Sequence, residues 1–300
     1  MLRSAEHLVH KHGIRLFLWE KHRTQDAAAF ARTGRIILLV HGASYSGVTT
    51  FDLQVPGKPG HSLMDFLAER GYDAWALDIE GYGRSDRPIT HCSNTAVAAE
   101  DIRAACEYIF QHRGVRRLHL LGFSWGTQSA GLFASSYPHW VKRLILLAPV
   151  SQESAWVESL RPSLETFQRQ RYRANTVEGV KARVLAIIPA QAIDPQVLEY
   201  YAMLAVGRDP SSPNGCLVDI LTRMPLVDYG KLSMPTLIAH GEYDDVARQE
   251  DLTLRFREIP SNEKQYLLLP GLGHMALIER NRHLLTHALL TFLEAPGPAW

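Results

Sequence analysis

Neither sign of charge dominates this sequence: 32 lysines and arginines stand against 31 aspartates and glutamates, a formal net charge of +1. The arginines are spread along the chain and not gathered into a stripe. Nothing argues electrostatically for a nucleic acid or an anionic membrane as partner. Cysteine is scarce. Cys92, Cys106 and Cys216 are odd in number and match no metal spacing, so neither a disulfide framework nor a zinc site is implied. Histidine is plentiful, but His7, His10, His12 and His22 lie outside any H-E-x-x-H arrangement and read as surface or loop residues. No metal and no cofactor are expected. Long apolar runs are also missing. No segment approaches ~18 uninterrupted apolar residues, so no membrane-spanning helix is expected. The first residues, MLRSAEHLVHKHG, lack the apolar core of a signal peptide. A soluble cytoplasmic protein is the default expectation. Oligomeric state has no signature in the sequence.

What is present is a globular composition, 46% hydrophobic and 21% charged, in a chain long enough to bury a substantial core. Residues 8–22 alternate loosely and suggest an edge hairpin turning near Gly13. Residues 25–34 read as a connection. Four apolar runs then follow at strand length, 35–40, 73–78, 117–121 and 141–150. Helical patterns at 60–70, 95–112 and 125–137 separate them. Continuous apolar strands alternating with helices argue for an α/β fold, with a mostly parallel sheet covered on both faces. The alternation stops after Val150. Residues 151–233 carry apolar and aromatic residues at helical spacing, broken at Pro189, Asp194-Pro195 and 209–215. They read as short helices inserted as a cap. Strand periodicity resumes at 234–241 and 264–269, with helices expected at 246–258 and 275–293. The terminal PGPAW is expected to fray. The expected division is a core of residues 1–150 and 234–300, and a helical cap of residues 151–233.

Within this pattern Gly122-Phe123-Ser124-Trp125-Gly126 lies between a strand and a helix. A G-x-S-x-G pentad in that setting has the context of a nucleophile elbow. Glycines two before and two after the serine remove Cβ atoms that would clash in so tight a turn. A plainer reading makes Ser124 the N-cap of the helix. A serine hydroxyl needs a base, and the base needs an orienting group. Side chains from distant positions converge at the carboxyl ends of parallel strands. Two such ends lie downstream, at Asp244 and Asp245 after the 234–241 strand and at His274 after the 264–269 strand. Asp244 as a helix cap and His274 as a turn histidine are the plainer readings. Gly81-Tyr82-Gly83-Arg84-Ser85-Asp86 is no dinucleotide fingerprint, because no helix starts from it.

Taken together these stretches resemble the α/β-hydrolase superfamily over nearly the whole chain. The resemblance rests on Leu39-Val40-His41-Gly42, Asp78-x-x-Gly81-x-Gly83-x-Ser85-Asp86, Gly122-x-Ser124-x-Gly126, Pro235-Thr236-Leu237-x-x-His240-Gly241-x-x-Asp244 and Gly273-His274. It implies an eight-stranded, mostly parallel sheet. It also implies Ser124 as nucleophile, His274 as general base and then acid, and Asp244 as its orienting acid, with Asp245 the second choice. The oxyanion hole would be the backbone N–H groups of Ala43 and Trp125. The 78–86 loop would support the site. Ser44, Tyr45, Trp156 and Tyr200 are candidate substrate contacts, with Phe167, Tyr172, Tyr201 and Met203 further candidates to line a cap. Serine at the elbow disfavours the aspartate-nucleophile dehalogenases and epoxide hydrolases. HGASYSG is neither the HGGPG of proline iminopeptidases nor the HGGG of the hormone-sensitive-lipase branch. The expected activity is hydrolysis of a carboxylic ester of a small to medium apolar molecule through an acyl-enzyme. Thioester, amide, lactone and carbon–carbon bond hydrolysis and perhydrolysis use the same triad. A ligand sensor on a hydrolase fold is the alternative of another class.

Overall fold

In a computed structural model, which describes residues 1–296, the apolar runs are strands. The expectation for the last residues, 297–300, lies outside the described residues. β1 (Leu2–Lys11) and β2 (Ile14–Arg23) form a hairpin of two ten-residue strands, longer at its start than expected. Its two-residue turn is His12-Gly13, with φ of 48° and 84°. Two positive values match the twist of the flanking strands. β3 (Ile36–Val40), β4 (Asp73–Asp78), β5 (Leu118–Phe123) and β6 (Val141–Leu147) follow. After a long insertion come β9 (Thr236–Gly241) and β10 (Lys264–Leu269). The eight strands lie in the order β1-β2-β4-β3-β5-β6-β9-β10. Pairing is parallel from β4 through β10 and antiparallel at β1-β2-β4.

β3 shows why the central strands read as unbroken apolar runs. Ile36, Leu38 and Val40 enter one core cluster, with Ile102, Ile109 and Phe133 from the helices Thr95–Arg113 and Gly126–Ser136. Ile37 and Leu39 enter a second, with Met64, Leu67 and Leu289 from the helices Leu63–Glu69 and Arg282–Glu294. Both faces are covered, so both sets of alternate residues must be apolar. Each such side chain contributes about 1.5–3 kcal/mol by leaving water.

Between β6 and β9 lie five α-helices: Ala155–Leu160, Leu164–Arg169, Val177–Leu185, Pro195–Arg208 and Gly215–Thr222. The short antiparallel pair of β7 (Tyr172–Ala174) and β8 (Ser211–Pro213) was not expected. Other ends differ too. The helix expected from 246 begins at Gln249, because Asp244 holds the N–H groups of Val246 and Ala247 in a turn. The last helix spans Arg282–Glu294, with turns over 275–281. A five-residue helix, Gly47–Phe51, has no counterpart in the sequence reading. Among the described residues no helix is long and apolar enough to cross a membrane.

Candidate active site

The β5–helix junction is tightly packed. A Cβ on Gly122 would lie 2.3 Å from the Gly126 carbonyl oxygen, and one on Gly126 would lie 2.5 Å from those of Val40 and His41. These neighbours are backbone and cannot swing aside. We expect Gly122→Ala to lose about 3 kcal/mol or more of stability, measured by urea unfolding, because backbone must shift to admit the methyl group. Between the glycines Ser124 has φ 55°. A left-handed conformation costs a non-glycine residue roughly 1–2 kcal/mol. Ser124 N donates to Leu147 O at 2.9 Å, tying the turn to the end of β6. The helix that follows is N-capped by Trp125 with no side-chain cap, so Ser124 is not its cap.

The Ser124 hydroxyl meets His274 instead. Oγ and Nε2 are 2.9 Å apart. His274 Nδ1 lies 2.9 Å and 3.0 Å from the two Asp244 oxygens. Asp244 also accepts from the Val246 and Ala247 N–H groups at 3.0 Å each, so the plainer turn-capping role is present as well. All three residues are buried, whereas Asp245 is exposed. A carboxylate on Nδ1–H leaves the lone pair on Nε2, facing the serine proton. Gly273 N donates to buried Glu279 Oε2 at 2.8 Å, which pins the His274 turn from behind. Burial pushes the Glu279 carboxyl up to about 7.

The His41-Gly42-Ala43 turn leaves β3 beside Ser124. A Cβ on Gly42 would sit 3.0 Å from Ser124 Cβ. His41 is wholly buried. Its Nε2 accepts from Ile79 N at 3.1 Å, so Nδ1 carries the proton and donates to Gly42 O at 2.8 Å. Burial pushes this imidazole down to about 4, which keeps it neutral and able to accept. The Ala43 carbonyl accepts from Tyr82 Oη at 2.9 Å and from Arg173 at 2.6 Å, and Ser212 Oγ donates to Ser44 O at 2.5 Å. Among the described residues the amides of Ala43 and Trp125 have no protein acceptor, although both residues are buried. Buried N–H groups are rarely left unpaired. The 78–86 loop braces this turn: Asp78, pushed up to about 7 by burial, accepts from Gly47 N and Arg84 N.

A cavity opens over Ser124 and His274, walled by Ser44, Tyr45, Trp156 and Tyr201 among others. Tyr200 does not line it. One step along the helix Pro195–Arg208 is a rotation of about 100°, so its neighbour Tyr201 takes that wall and is fully buried. Phe167, Tyr172 and Met203 also lie elsewhere: Phe167 packs on the core, Tyr172 donates to Pro88 O, and Met203 is 58% exposed. Among the lining residues that the sequence reading missed, Arg183 is the charged one. It enters the cavity wall, where Nε donates to Tyr45 Oη at 3.2 Å and a terminal nitrogen to Asn175 Oδ1 at 2.7 Å. A single arginine on an amphipathic helix gives no sequence signal of facing inward. The lining is otherwise mostly apolar, with one fixed cation.

A family model described as serine aminopeptidase, S33, matches residues 57–281. The 2-hydroxy-6-oxononadienedioate/2-hydroxy-6-oxononatrienedioate hydrolase of Burkholderia vietnamiensis is 26% identical over 220 residues, covering 69% of this chain and 70% of that protein. Protein ABHD8 of Homo sapiens is 34% identical over 252 residues, 78% of this chain and 52% of that protein, so the chain spans about half its length. A thermophilic esterase from Thermogutta terrifontis superposes with a TM-score of 0.70 at 21% identity, covering 97% and 98% of the two chains. At that identity the likeness shows the fold.

Proposed function

This chain belongs to the family described as serine aminopeptidase, S33, within the α/β-hydrolase superfamily, and from that premise we propose that it is a serine hydrolase cleaving a carboxylic ester of a small to medium molecule through an acyl-enzyme on Ser124. The observation that carries the reading is the unbroken chain Ser124 Oγ–His274 Nε2, His274 Nδ1–Asp244, beside two buried unpaired amides. Ser124 Oγ attacks the carbonyl carbon as His274 Nε2 takes its proton. The carbonyl oxygen, now carrying the charge, is held by the N–H groups of Ala43 and Trp125. His274 then gives its proton to the leaving alkoxide. A water deprotonated by His274 attacks the acyl-enzyme, and Ser124 leaves with the proton returned. Asp244 keeps the imidazole oriented and stabilises its cationic form. Every step uses protein groups and water alone.

The 151–233 segment is read as the lid that excludes water and selects substrate. The three cysteines are free. A panel of p-nitrophenyl esters tests the activity. Turnover with a burst of one equivalent supports the acyl-enzyme. Stoichiometric stabilisation without turnover would support the sensor alternative.

A second reading is favoured by Arg183. A cation in an otherwise apolar cavity suits an acyl chain that carries its own carboxylate, and the Burkholderia relative is named for a dioate. Carbon–carbon bond hydrolysis of such an acid therefore stands next to ester hydrolysis. Arg183→Met is expected to raise KM for a hemisuccinate-type ester about 10- to 100-fold, the worth of a charged hydrogen bond. The neutral butyrate ester should stay within about threefold. Equal effects on both esters would remove the acidic-substrate reading.

A further inference from the structure

The sequence places His7, Glu20 and His112 far apart, and no spacing marks them as ligands. The fold gathers them. In the hairpin Ala5 stands opposite Glu20, and His7 opposite Leu18. His7 and Glu20 are thus diagonal neighbours on one face. The last turn of the helix Thr95–Arg113 brings His112 onto that face. One ligand atom from each of the three lies within 4.8 Å of the others.

We propose that His7, Glu20 and His112 form a binding site for a divalent transition cation of the zinc type, which staples the edge hairpin to the end of the helix Thr95–Arg113. Two imidazoles and a carboxylate are a donor set of the kind that zinc accepts, with a fourth position left to water. His7 Nε2 and Glu20 Oε2 are now 2.8 Å apart. Bonds of about 2.0–2.1 Å at a tetrahedral centre separate ligand atoms by about 3.4 Å, so the two side chains need to part by only about half an ångström. The outer groups are already in register. His7 Nδ1 lies 2.9 Å from Tyr108 Oη, the partner that fixes a ligating histidine with its lone pair on Nε2. The other Glu20 oxygen is taken by Arg113, whose Nε also donates to Asp73 Oδ2 at 2.7 Å, leaving Oε2 as a monodentate ligand. Glu20 is buried, His7 half-buried and His112 exposed, so the site has a fixed floor and an open mouth. Its strand β2 lies three strand positions from β5, after which Ser124 follows. Binding is therefore read from stability and spectra and does not rest on the hydrolase reading.

The test uses the full chain after treatment with a chelator. Zn2+ is titrated by calorimetry against a competing chelator, with Co2+ as spectroscopic probe. One equivalent of Zn2+ is expected to bind. At a hundredfold excess over Kd it should raise Tm by about 4 °C. Co2+ should give visible bands of a four-coordinate centre. His112→Gln changes an exposed side chain and should fold normally. It and His7→Gln should each weaken Zn2+ binding at least tenfold, since even the loss of an outer partner of a ligand costs that much. His283→Gln, on the exposed His283/His287 pair one helical turn apart, should change nothing. No stoichiometric binding, or a single equivalent that survives His112→Gln and is lost in His283→Gln, overturns the proposal.

Discussion

Ser124→Ala is expected to lower kcat by about a million-fold on any ester the protein turns over, with Tm within about 2 °C of the parent. The size follows from how the group acts. Oγ is the atom that bonds to carbon, and among the described residues no other hydroxyl shares its contact with His274 Nε2 at 2.9 Å. Removing one member of a nucleophile–base unit costs about as much as removing the whole unit. What survives is the contribution of binding and of the Ala43 and Trp125 amides, about 10³–10⁴ over water. His274→Ala should fall to a similar level. Stability should hardly move, because alanine carries the same φ penalty as serine and Oγ makes no cap. Ser124→Gly separates the two effects. Glycine has no penalty at φ 55°, so this variant should be equally inactive yet more stable by about 1 kcal/mol. Activity in Ser124→Ala above about a thousandth of the parent would remove Ser124 from the mechanism.

Asp244→Asn is expected to cost about 10⁴-fold in kcat, whereas Asp245→Asn should stay within about twofold. Asp244 Oδ1 accepts from two backbone amides, Val246 N and Ala247 N. An asparagine must keep its carbonyl oxygen there, since an NH2 group would face two donors. Its NH2 therefore takes the Oδ2 position, 3.0 Å from His274 Nδ1. That NH2 sets a second donor against Nδ1–H, which Oδ1 at 2.9 Å alone would have to hold, and the clash favours the tautomer with its proton on Nε2. A protonated Nε2 cannot accept the serine proton. The fold remains while the tautomer is wrong. Asp245 points to solvent and has no such partner, so its loss changes only a screened surface charge. Rates of both variants on one reactive ester, with matched thermal melts, check this. A larger defect in Asp245→Asn would reassign the acid.

The parts of this molecule legible in the sequence are those fixed by local rules. β3, β4 and β5 are buried on both faces, so their residues had to be apolar without a break, and the elbow needed glycine at 122 and 126 for reasons of a few ångströms. Ser124, Asp244 and His274 could be named because parallel strands deliver their carboxyl ends to one edge. What escaped depends on tertiary packing. Tyr200 and Tyr201 are both candidates, and Tyr201 alone of the two faces the cavity, a choice made by the rotation of one helix against the sheet. Arg183 faces inward because Tyr45 and Asn175 hold it there. The β7–β8 pair joins residues about forty apart, and only the packing of the insertion brings them together. His7, Glu20 and His112 meet through a hairpin register and a helix end that no spacing encodes. The helix at Gln249 starts late because Asp244 Oδ1 holds the two amides of the turn before it.

The central claim is an activated nucleophile at Ser124, and covalent labelling tests it most directly. The folded protein is exposed to a fluorophosphonate, the intact mass is measured, and the modified peptide is mapped. One adduct on Ser124 is expected, absent in Ser124→Ala and slowed by several orders of magnitude in His274→Ala. An adduct on another residue, or none in a folded sample whose cavity admits the probe, would contradict the account and leave a hydrolase fold that binds without turning over.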